Sequence, residues 1–68
     1  MRFDIFYGRN KDEKLQWLGA ADDFENACHR MHAFASMKPG PYFVLRLMDK
    51  EVLATMDTSS KEKVGGQN

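Results

Sequence analysis

Large apolar residues alternate with polar ones over Met1 to Tyr7 and again over Leu15 to Ala20. From about Asp23 to Met37 they recur every three to four positions. Alternation returns over Pro41 to Met48 and Val52 to Met56. A period of two is the signature of a half-buried strand, and a period near 3.6 that of a helix with one buried face. The chain therefore predicts the element order β-β-α-β-β. In the first strand Phe3, Ile5 and Tyr7 point one way and Arg2, Asp4 and Phe6 the other. The second strand places Leu15, Trp17 and Gly19 opposite Gln16, Leu18 and Ala20. Between them runs a polar loop, Gly8 to Lys14, longer than a tight hairpin turn.

The helix has readable ends. Asp22 followed by Glu25 fits a capping box, with Asp22 accepting from the free N–H groups of the first turn. Phe24, Ala27, Cys28, Met31, Phe34 and Ala35 form one stripe. Pro39 disfavours helical geometry at Lys38, so the helix should stop near Met37, and Gly40 and Pro41 complete the turn. In the third strand Phe43, Leu45 and Leu47 share a face opposite Tyr42, Val44, Arg46 and Met48. Asp49 and Lys50 fit a short turn, and Val52, Ala54 and Met56 then stand opposite Leu53 and Thr55.

These elements make an α+β domain: a four-stranded, largely antiparallel sheet with one helix packed on one face. One helix covers one side of a sheet, yet both strand faces carry large apolar groups. Something must cover the second face, and another copy of the chain is the simplest candidate. With Phe3, Ile5, Tyr7, Leu15 and Trp17 turned to the helix, Phe6 and Leu18 stay uncovered on the first hairpin, and the second exposes either Phe43, Leu45 and Leu47 or Tyr42, Val44 and Met48; the candidate interface is taken as Phe6, Leu18, Tyr42, Val44, Arg46 and Met48. The expected partner is a second copy, giving a homodimer, or another protein.

Composition narrows the picture in three ways. Asp57 to Asn68 hold a single large apolar residue, Val64, so the folding unit is read as residues 1–56 with a flexible tail over 57–68. Cys28 is the one cysteine, which excludes an intrachain disulfide and suits a reducing compartment; no apolar run could span a bilayer and no signal peptide is readable, so the cytoplasm is expected. Ten basic and ten acidic residues are mixed along the chain and cancel. Nucleic-acid binders concentrate basic charge, so a regulator stacking bases on Tyr7, Trp17, Tyr42 and Phe43 is a second choice.

Candidate chemistry is sparse. Cys28, His29 and His32 lie close on the helix, but the paired-ligand spacings of zinc sites are absent. Cys28 as a nucleophile would need an exposed site and a base, and its place in the apolar stripe argues against both. No Gly-rich phosphate loop or nucleophile elbow occurs, so neither catalytic residues, metal nor cofactor are expected.

Two resemblances add expectations. Asp4-Ile5-Phe6-Tyr7, Trp17-Leu18-Gly19 and Pro39-Gly40-Pro41-Tyr42-Phe43-Val44 make residues 1–56 similar to short bacterial ββαββ proteins of unknown function. That resemblance implies a fold and no activity. The ending Val64-Gly65-Gly66-Gln67-Asn68 resembles the diglycine tails of ubiquitin-like carriers of the β-grasp fold and of the prokaryotic ubiquitin-like tag. It implies a third reading, a carrier acting through its tail after removal of Gln67 and Asn68.

Overall fold

The computed structural model describes residues 1–10 and 14–59. Strand β1 spans Phe3–Tyr7, β2 Gln16–Ala21, helix α1 Phe24–Met37, β3 Pro41–Arg46 and β4 Glu51–Asp57. The strands lie in the order β2-β1-β3-β4, and every neighbouring pair is antiparallel. β2 and β3 therefore flank β1 and run the same way, and α1 carries the chain across from one to the other. The fold is the α+β, ββαββ arrangement read from the periodicities.

The helix lies against the face of Phe3, Ile5 and Tyr7. Ile5 and Val44 stand opposite each other on the two central strands, and both are 0% exposed. Ala27, Met31 and Ala35 press down on them, joined by Phe3 and Tyr42. Two alanines let the helix backbone approach the sheet, and the unbranched Met31 fills the space between them. Phe24 closes the first turn over Phe3, ring centroids 6.0 Å apart.

Both outer strands carry a bulge. Ile5 faces Gly19 but Phe6 faces Trp17, so Leu18 is the extra residue in β2. Val44 faces Ala54 but Leu45 faces Val52, so Leu53 is the extra residue in β4. Two residues then oppose one and the alternation changes phase. Both extra leucines pack against the helix-side cluster. This corrects the placement of Trp17 under the helix and of Leu18 on the open face: Trp17, opposite Phe6, stands on the open side and Leu18 on the helix side.

The helix cap is also corrected. Asp23, in extended conformation, accepts from the backbone N–H of Asn26 at 2.8 Å, and helical geometry begins at Phe24. Starting there turns Ala27, Met31 and Ala35 inward, and the Asp22/Glu25 box does not form. Asp23→Ala should cost about 0.5–2 kcal/mol of stability, with Asp22→Ala close to neutral. Paired thermal melts check this, and equal losses in the two variants would sink it.

At its other end α1 stops where Pro39 requires, with Lys38 extended and its N–H bonded to the Phe34 carbonyl at 3.0 Å. The buried Tyr42 hydroxyl donates to the Phe34 carbonyl at 3.2 Å and also to that of Lys38, tying the helix end to β3. Burial, with Tyr7 adding to it, pushes the Tyr42 phenol pKa up. The Tyr7 ring meets Tyr42 edge-on at 5.1 Å, and the Lys38 ammonium lies 4.3 Å over the Tyr7 ring.

Strand β3 is shorter than the alternation suggests. The chain turns at Leu47–Lys50, with Lys50 at φ 57°. The Arg46 guanidinium spans this turn and donates to both Asp49 oxygens, at 3.0 and 2.8 Å. These bonds draw the Asp49 carboxyl below the usual carboxylate range.

The domain does not end at Met56. Asp57 pairs with Pro41 in the sheet. The Thr58 N–H donates to the Gly40 carbonyl at 3.0 Å, and the Gly40 N–H donates to the Thr58 hydroxyl at 3.1 Å. Asp57, Thr58 and Ser59 are thus part of the folded unit. The diglycine lies outside the described residues, as do residues 11–13.

Candidate functional site

Residues directly paired across antiparallel strands share a face. The register therefore lays out the side of the sheet away from the helix as two rows. One row runs Trp17, Phe6, Phe43, Thr55 across all four strands. The next runs Ala20, Asp4, Leu45, Val52. Phe6 and Phe43 stack at 5.1 Å between centroids, with their planes 15° apart. Phe43 is buried; Phe6, Leu45 and Val52 are half-buried. Trp17, at the edge of the row, is 54% exposed.

Asp4 is the one charged residue buried among the described residues, at 4% exposure, and it lies on this open face. A buried carboxylate is costly unless it is paired and hydrogen-bonded. Its Oδ1 accepts from Arg2 Nε at 3.0 Å and from Trp17 Nε1 at 3.3 Å. The indole N–H is thereby satisfied, and Trp17 is held across the sheet with one flank free.

Where β1 and β4 finish and β3 begins, a cleft of about 320 Å³ opens between the first row and the Pro41–Asp57 pair. Phe43 and Thr55 line it from the sheet, and Gly8, Arg9 and Asn10 from the β1–β2 loop. Arg9 Nη2 lies 2.7 Å from Asp57 Oδ2 at its rim. The Asp57 carboxylate also accepts from the Ser59 hydroxyl and N–H, at 2.6 and 2.9 Å. The Ser59 bonds first, and Arg9 after them, lower the Asp57 pKa, so this rim carries a fixed ion pair at neutral pH.

The sequence-derived interface set is divided by this geometry. Phe6 stands on the open face. Tyr42 and Val44 are buried beneath the helix, at 2% and 0% exposure, because β1 pairs Tyr7 with Tyr42 and Ile5 with Val44. Arg46 shares their side and is held by Asp49 and Glu51. Met48 lies in the β3–β4 turn, 70% exposed. The open face is instead built by Phe6, Trp17, Phe43, Leu45 and Val52 around Asp4. Trp17 is expected on the helix side because the bulge has no mark in the local alternation, and of the base-stacking set the register puts Trp17 and Phe43 on the open face but Tyr7 and Tyr42 under the helix. Asp4 and Arg2 were legible as neighbours on one strand face, but only the register brings Trp17 to them.

Cys28 is half-buried, and burial pushes its thiol pKa up, which disfavours the thiolate a nucleophile requires. His29 and His32 are exposed. Among the described residues no three His, Cys, Asp or Glu side chains converge as a metal site, and no helix is long and apolar enough to cross a membrane. No family model, curated protein or solved structure matches the chain.

Proposed function

We propose that the protein is a small, non-enzymatic cytoplasmic interaction module that self-associates through the sheet face away from the helix. The observation that carries this reading is the aromatic row Trp17–Phe6–Phe43, flanked by Leu45 and Val52, over which no helix of the described fold lies. A contiguous apolar strip on one side of a small domain is the usual mark of a contact surface. A second copy suits it because the chain has no net charge, so two protomers meet without long-range repulsion. Nucleic acid suits it less. Arg2 is bound to Asp4 and Arg9 to Asp57, so these two arginines already have carboxylate partners.

Equilibrium sedimentation tests the reading. The expected result is a dimer at tens of micromolar protein, by the usual affinity of modest interfaces. Val52→Lys, on the border strand and not paired with Asp4, should weaken association at least tenfold while the circular dichroism spectrum stays native. A wild-type chain that remains monomeric at high micromolar concentration would remove self-association as the function of this face.

A further inference from the structure

We draw no further inference here: the strongest candidate, the cleft of about 320 Å³ between Phe43, Thr55 and the Pro41–Asp57 pair at the end of the sheet, has its rim charges, Arg9 and Asp57, bonded to each other, and nothing in the structure shows what would occupy it.

Discussion

Replacing Ile5 with alanine should remove most of the protein's stability. Ile5 is fully buried on a central strand, opposite Val44 and beneath the helix. Truncation there loses the transfer free energy of the deleted methyl and methylene groups and leaves a cavity, together about 2–5 kcal/mol. A domain of this size holds on the order of 3–8 kcal/mol in total. Few neighbours can relax into the gap, because Ala27 and Ala35 on the helix are already short. Ile5→Val, which keeps the branch, should cost only about 0.5–1.5 kcal/mol. Urea unfolding followed by circular dichroism measures both, at one fixed protein concentration so that the comparison holds whatever the state of association. Equal midpoints for wild type and Ile5→Ala would mean that the core lies elsewhere.

Gly40→Ala should be nearly as damaging, for a different reason. Gly40 has φ 154°, and a methyl group on it would stand 2.6 Å from Cε1 and the hydroxyl oxygen of Tyr7 and 2.9 Å from Cζ. The backbone cannot easily swing away, because both the N–H and the carbonyl of Gly40 bond to Thr58. Tyr7 cannot easily retreat either, held between Tyr42 and the Lys38 ammonium. The unfavourable backbone alone costs about 1–3 kcal/mol, and displacing the ring adds to that. A double-mutant cycle with Tyr7→Ala separates the two terms. If the clash is real, alanine at Gly40 should cost less once Tyr7 is gone; additive losses would assign the whole effect to the backbone.

Much of this fold was legible because its strongest signals are periodic. The two central strands keep strict alternation, so Phe3, Ile5 and Tyr7 were correctly placed toward the helix. Pro39 ended the helix where the proline rule says it must. The outer strands were misread for one physical reason: a bulge inserts a residue without altering local composition. Leu15 to Ala20 alternates acceptably in either phase, and only pairing with β1 shows that Leu18 is supernumerary. Assigning Trp17 to the helix side then followed. The cap was displaced by one residue because Asp22 and Asp23 both satisfy the sequence rule, and the inward turn of Ala27 chooses between them. The tail boundary came three residues early because Asp57, Thr58 and Ser59 hold the sheet edge by hydrogen bonds, which a hydrophobicity count does not register. Phe6 was readable as an open-face residue, and Phe43 with Leu45 stood as one of two sets the second hairpin could turn that way; only the register chooses between them and brings Trp17 and Val52 to the same side.

The bulges also bear on the two borders of the sheet. β2 and β4 are the two borders of the sheet, and among the described residues neither pairs with a strand on its outer side. A straight border is a template on which a further chain can add, and then another, without end. Here each border is interrupted within its length, at Leu18 on one side and Leu53 on the other, so an incoming strand loses register after a few residues. Growth of the sheet into ribbons is thereby discouraged on both flanks.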